Sequence, residues 1–190
     1  MDQATINFLG RAILRYRQFK LTFVPQKYLI TGKATSTGWA DDKELRIATK
    51  RPVSTWLGDF VHETCHLDQQ AQRPKWHDTR EEAVGKLDDW LAGKRVDYID
   101  GYIRLVVELE WDCERRSVRK IARNKLPVNL KEYAQMANAY ILGYHWTLQN
   151  RKWCKKSYET TYVWTRMPEK IIPLASALNP TPKLVAPFYE

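Results

Sequence analysis

The spacing of apolar positions changes several times along the chain. Ile6, Leu9, Ile13 and Tyr16 recur at helical intervals, which predicts an amphipathic helix over residues 3–19. Leu21–Val24 and Lys27–Thr31 read as short strands joined around Pro25, and Gly32 to Gly38 reads as turn. Leu45, Ile47 and Thr49 alternate with Arg46, Ala48 and Lys50, the period of a half-buried strand. The pattern then turns helical. Pro52 and Ser54 open a helix that ends before Pro74, and Asp78 with Glu81 is spaced as a capping box for a helix at 79–92. Gly93 breaks that helix, a long one follows from about Asp97 to Asn124, and Asn129 with Glu132 starts another running through Gln149. The Pro-rich tail after Met167 is expected to be extended.

Helix, small antiparallel sheet, then several helices is an α+β order. At 190 residues the chain is expected to be one domain: an N-terminal helix and sheet at 1–51, a helical part at 52–150, and a basic, aromatic C-terminal segment at 151–190. With 44% hydrophobic and 12% aromatic residues it can bury a substantial core. No apolar run approaches the roughly 20 residues that span a bilayer, and Met1–Thr5 lacks the basic-then-apolar pattern of a secretory signal. Cys65, Cys113 and Cys154 are odd in number and widely spaced, so the expected setting is reducing and cytoplasmic, without a disulfide framework.

Chemistry concentrates in the first long helix. Residues 62–66 read His62-Glu63-Thr64-Cys65-His66, and two of the four histidines of the chain stand there. Imidazoles four residues apart share a helix face and can grip one metal ion, and the carboxylate beside the first can take a proton from an activated water. Trp56, Phe60 and Leu67 on one flank, and Leu57, Val61 and Cys65 on the other, predict a largely buried helix. Buried imidazoles need partners for their ring nitrogens: a metal supplies them, and hydrogen bonds within a core are the plainer alternative.

A catalytic zinc takes three protein ligands and keeps one position open. His77 and His145 follow no tight ligand spacing, so the third ligand is sought in the acidic segment 108–114. Ile103, Val106, Val107, Glu110, Cys113, Glu114, Ser117 and Ile121 fall on one mostly apolar helix face, whereas Glu108 and Asp112 share a face with Arg104, Arg115 and Arg119 and are expected to be solvated. Inward carboxylates need positive partners. Glu110 is therefore assigned as ligand and Glu114 as the acceptor that orients a histidine ring, with the two roles interchangeable and pairing to arginines as the alternative.

These residues resemble the zincin metallopeptidases, in particular the gluzincin branch, which places H-E-x-x-H on one helix and a glutamate ligand on a later one. The long gap between His66 and Glu110 is more similar to the lethal-factor-like members than to the thermolysin-like ones. Leu67-Asp68-Gln69-Gln70-Ala71 after His66 is not the metzincin continuation, and the cysteine pairs of the SprT-like zinc ribbon are missing. The resemblance implies a zincin-like fold, one zinc ion per chain and hydrolysis of peptide bonds in a protein or peptide substrate, with Glu63 as general base. Tyr140, Tyr144 and His145 are the candidates for an oxyanion donor, though two tyrosines on a packed helix also suit a core. The strand at Leu45–Thr49 resembles the edge strand on which such enzymes lay an extended peptide.

Charge adds a second function class. The net charge is +9, and between Arg115 and Lys156 eleven Lys and Arg face a single acid, Glu132. Trp146, Trp153, Tyr158, Tyr162 and Trp164 interleave with or follow those cations. Such a stripe suits nucleic acid or an acidic partner, and equally a solvated helix face. The alternative to an enzyme is thus a binding protein on a zincin scaffold. Nothing in the pattern fixes an oligomeric state.

Overall fold

Strand β5 (Glu44–Ala48) organises the N-terminal part of the chain. β1 (Lys20–Val24) lies parallel to it, pairing Lys20 with Glu44 and Val24 with Ala48. β4 (Gly38–Ala40) lies antiparallel on the other side, pairing Gly38 with Ile47 and Ala40 with Leu45. A separate antiparallel pair is formed by β2 (Leu29–Thr31) and β3 (Ala34–Ser36). The computed structural model describes residues 1–31, 34–41 and 43–190, and the side chains of Thr31, Ala34, Thr35, Tyr158 and Glu159 also lie outside that description.

The fold is α+β, as expected, but the three-stranded sheet is mixed rather than antiparallel. Its order is β1-β5-β4, so the strand read as a peptide-binding edge is the central one, and both of its edges are already hydrogen-bonded. The turn expected from Gly32 falls partly outside the described residues, and 34–36 is a strand instead.

By contact the chain divides into two units, one made of Met1–Ala71 with Arg116–Leu130, the other of Gln72–Arg115 with Lys131–Glu190. In the first, α1 (Gln3–Arg15) starts at an Asp2 cap whose carboxylate accepts from Thr5 N at 2.7 Å. Its buried face is Thr5, Phe8, Ala12 and Tyr16, so of the expected Ile6-Leu9-Ile13-Tyr16 row only Tyr16 is buried. Phe8 decides this by meeting Phe60 edge-to-face at 6.1 Å, which leaves Ile6 and Ile13 exposed. The next helix, α2 (Val53–Gln72), buries Leu57, Phe60, Val61 and Cys65 completely.

In the second unit, α3 (Pro74–Leu91) begins five residues earlier than the capping pattern predicts. Pro74 both stops α2 and supplies the fixed φ of a first helical turn, so Asp78 and Glu81 are helix interior rather than cap. α4 (Ile99–Asn124) gives its last turns to the first unit and the rest to the second, and α5 (Leu130–Asn150) follows. Leu87, Ile103, Val106, Ile141, Leu142 and Phe188 are the centre of the second core.

The tail is not extended. It folds into α6 (Lys156–Glu159), α7 (Thr161–Trp164), α8 (Leu174–Leu178), α9 (Pro182–Val185) and a 3-10 turn at Ala186–Phe188. Prolines leave backbone carbonyls without local donors, and α5 supplies them. Asn138 Nδ2 donates to the carbonyls of Pro168 and Lys170, and Gln135 Nε2 to those of Thr165 and Met167. No helix among the described residues is long and apolar enough to cross a membrane.

Candidate metal centre

The motif helix is anchored to the sheet by one cation. Arg51 donates through one nitrogen to the Ala48 carbonyl at 2.9 Å and stands 2.6 Å from Asp59 Oδ2 on α2. Burial lifts the Asp59 carboxyl above its ordinary range, while Arg51, Thr37 and His62 pull it back. The clamp thus joins the end of β5 to the turn of α2 that precedes His62.

One turn further, the two motif rings face each other. His62 Nε2 and His66 Nε2 are 3.1 Å apart, with ring centroids at 4.7 Å and planes at 79°. His66 Nδ1 lies 3.0 Å from the side-chain oxygen Oε1 of Gln69. An amide oxygen only accepts, so this contact puts the His66 proton on Nδ1 and leaves its Nε2 lone pair aimed at His62. Two ring nitrogens at such a distance need a proton or a cation between them. Tetrahedral zinc, with bonds of about 2.05 Å, sets two imidazole nitrogens about 3.3 Å apart, so the pair fits that ion. Both rings are half-buried rather than enclosed, which leaves them accessible to water.

Glu63 lies against the sheet. A Cβ placed on Gly38, at the start of β4, would stand 2.7 Å from Glu63 Oε1 and 2.8 Å from its Cγ. Glycine at 38 is what lets the carboxylate lie against the strand.

Two turns past His62 on α2, a second polar cluster is closed on itself. Asp68 accepts from Tyr16 at 2.9 Å, Arg15 at 2.7 Å and Lys120 at 2.9 Å, and Lys120 also donates to Thr64 Oγ1 at 3.1 Å. Burial alone would lower the Lys120 pKa, but Cys65, Tyr16 and Asp68 outweigh it and hold the ammonium charged. Ser117 Oγ donates to Cys65 Sγ at 3.4 Å, so the end of α4 packs on the same stretch of α2.

The acidic candidates on α4 are described within the second unit. Glu110 and Glu114 are 7% and 6% exposed, so the expected inward face is correct for both. Tyr133 donates to Glu114 Oε2 at 2.6 Å. The Tyr140 and Tyr144 hydroxyls are 2.9 Å apart, and burial first and the Glu110 charge second push both phenols well above their ordinary pKa. His145 points elsewhere: its Nε2 donates to the Ala177 carbonyl at 2.6 Å, and burial lowers its pKa. Asp112, expected to be solvated, is 5% exposed and held by Arg73 at 2.5 Å and Arg115 at 2.9 Å. Glu108 pairs with Arg80. Trp76 lies between the two guanidinium groups of Arg73 and Arg80, at 3.9 and 4.0 Å, which explains why these acids are covered.

Several cations of the basic stripe are also engaged inside the protein. Lys120 belongs to the Asp68 cluster, Lys131 pairs with Glu169 at 2.5 Å, and Lys156 donates to the Phe188 carbonyl at 2.9 Å. Gln69, Gly38 and the Arg51–Asp59 clamp carry no signal in the motif itself. Only the i, i+3 spacing of His66 and Gln69 could have pointed to the first. No family model, curated protein or solved structure matches the chain.

Proposed function

We propose that the chain is a zinc-dependent peptidase of zincin type, with His62 and His66 as ligands and Glu63 as general base. The observation that carries this reading is the 3.1 Å approach of the two Nε2 atoms, with the His66 tautomer held by Gln69. The third ligand is proposed to come from α4. Glu110 is the candidate from the helix pattern, and Cys113, a buried thiol on the same face of α4, is the other. Glu114, held by Tyr133, is proposed to support the ligands rather than bind the metal.

When bound, zinc supplies a Lewis acid that activates water and polarises a carbonyl. Glu63 is then the proton carrier: it accepts a proton from the attacking water and delivers it to the leaving amine nitrogen. Gly38 sets the position from which the carboxylate does this. Tyr140 and Tyr144 remain the proposed donors to the developing oxyanion, because the Nε2 proton of His145 is engaged by Ala177.

Metal analysis and peptide cleavage test the proposal together. Purified protein should carry one equivalent of zinc, lost in His62→Ala and in whichever of Glu110→Ala and Cys113→Ala removes the third ligand. A proteome-derived peptide library read by mass spectrometry should show cleavage by the zinc-loaded protein and none by Glu63→Gln. Failure to bind zinc, or cleavage that survives Glu63→Gln, rejects the reading.

A further inference from the structure

The C-terminal end of α5 builds a second site with different chemistry. Arg151 takes a left-handed backbone, φ 47°, immediately after the helix and turns the chain back along it. The returning segment is pinned tightly. Cys154 N donates to Thr147 Oγ1 at 3.2 Å, and Ser157 Oγ donates to the Cys154 carbonyl at 2.7 Å. A Cβ on Gly143 would meet Ser157 Cβ at 3.1 Å, so the segment approaches α5 as closely as glycine permits. Arg151 donates to the carbonyls of Trp90 and Lys94 at 2.9 and 2.8 Å. Trp153 packs edge-to-face on Tyr144 at 5.5 Å, yet 37% of it stays exposed.

The result is a trough of about 580 Å³ between Trp146 and Trp153, rimmed by Arg151, Lys152, Lys155 and Lys156. Among the described residues its lining contains four cations and no carboxylate. Lys152 and Lys155 are exposed and make no ion pair with the rest of the protein among the described residues. The walls are mainly apolar and the rim is cationic, so a ligand that fits needs a flat apolar face and negative charge in the same unit. A nucleotide has both: bases stack on indoles and phosphates pair with lysines. A carboxylate side chain has the charge without the face, and in a duplex the base faces are hidden.

We infer that the trough formed by Trp146, Trp153, Lys152 and Lys155 binds single-stranded nucleic acid, by stacking an unpaired base between cations that hold its flanking phosphates. The site is independent of the metal centre and does not rest on peptidase activity. Lys156 and Arg151, tied to backbone carbonyls, fix the rim, while Lys152 and Lys155 are left to reach the strand.

Fluorescence anisotropy of a labelled 12-nucleotide oligothymidylate, titrated with the full chain at 50 mM salt, tests this. Saturable binding is expected, unchanged in His62→Ala. The double variant Lys152→Glu, Lys155→Glu should weaken it at least tenfold at an unaltered melting temperature. It should also reduce the slope of log affinity against log salt by about 1.4, the share of two single-strand phosphate contacts. Trp146→Ala should weaken binding by roughly tenfold through lost stacking. Should the charge-reversed protein fail to fold, Lys152→Gln with Lys155→Gln is read in its place, with at least fivefold weakening expected. Absence of saturable binding overturns the inference. So does affinity unchanged in the lysine variants, or a duplex or heparin bound as tightly as the strand.

Discussion

Around Asp68, α2 meets groups of opposite character: one carboxylate receives a lysine, an arginine and a tyrosine hydroxyl. Around His62 and His66, the same helix presents two like groups to each other at 3.1 Å. The first cluster is paired, since its one carboxylate lies within hydrogen-bond distance of both cations. The second is the pair proposed to hold a metal ion between its ring nitrogens. Burial and polarity alone do not separate the two, because both contain polar side chains at buried or half-buried positions of the same helix. The sign of the neighbours does: complementary partners describe an architectural site, whereas two like ring nitrogens at 3.1 Å are what the proposed metal would join.

The largest effect expected from this contrast is on chemistry. Glu63→Gln keeps the size and hydrogen-bonding ability of the side chain but cannot carry a proton, so turnover should fall by about a thousandfold or more while zinc content stays at one equivalent. Gly38→Ala is the sharper companion, since its Cβ would stand 2.7 Å from Glu63 Oε1 and must displace the carboxylate. Activity should drop by at least about tenfold with zinc again retained, because a misplaced base is costly even when its pKa is unchanged. Loss of zinc in Gly38→Ala would instead mean that β4 supports the ring pair itself.

The Asp68 cluster should answer in stability and not in metal. Lys120→Met removes the cation while Asp68 stays about nine-tenths buried, and breaking such a pair leaves a carboxylate only partly compensated by the largely exposed Arg15. A loss of about 3 kcal/mol in chemical denaturation is expected. The zinc stoichiometry of the folded fraction should be that of the wild type. If zinc were lost as well, the two clusters would be one coupled network and the contrast would fail.

Gln69 tests the ring pair from its other side. Its amide oxygen fixes the proton of His66 on Nδ1 at 3.0 Å. Gln69→Leu fills a similar volume without the acceptor, and zinc affinity in a competitive chelator titration should fall by about 10- to 100-fold. Gln69→Glu keeps an acceptor and should restore most of it. Equal losses in both variants would make Gln69 a packing residue.

How far these features could be read from the sequence depends on whether they are local. The H-E-x-x-H spacing and the inward face of Glu110 and Glu114 follow from helical period alone, and the structure has α2, α4 and the burial of both glutamates. The buried side of α1 was not legible, because Phe8 and Ile6 both offer apolar faces and only the aromatic contact with Phe60 chooses between them. Sheet order was equally hidden: a parallel β1–β5 pairing joins strands twenty residues apart, with β4 inserted at the far edge, and no turn signal records it. Asp112 was misplaced because its face looked solvated, whereas Arg73, in the link between α2 and α3, covers it. The C-terminal prolines suggested an extended tail, but Asn138 and Gln135 satisfy that backbone from α5, an arrangement with no sequence periodicity. Gln69 and Gly38 matter through one contact each, and single contacts leave no pattern.

The smallest expected effect comes from a lone imidazole, which sharpens the comparison from outside the metal centre. His145 has a backbone acceptor, the Ala177 carbonyl at 2.6 Å, and burial lowers its pKa below the ordinary 6.5. A depressed value means the folded state holds the ring neutral while the unfolded chain binds a proton more readily. The stability His145 gives is therefore fully present above pH 6.5 and is lost as pH falls through the lowered folded value. Wild-type protein should lose a few degrees of melting temperature on going below pH 6.5, and part of that loss should vanish in His145→Gln, which keeps a donor for Ala177 without titrating. The partial exposure of the ring screens the effect and keeps it below that of Lys120→Met. Zinc content measured in the same samples should be unaffected by His145→Gln. A variant that sheds zinc would tie this imidazole to the metal after all, and the distinction between a satisfied histidine and a convergent pair would lose its footing.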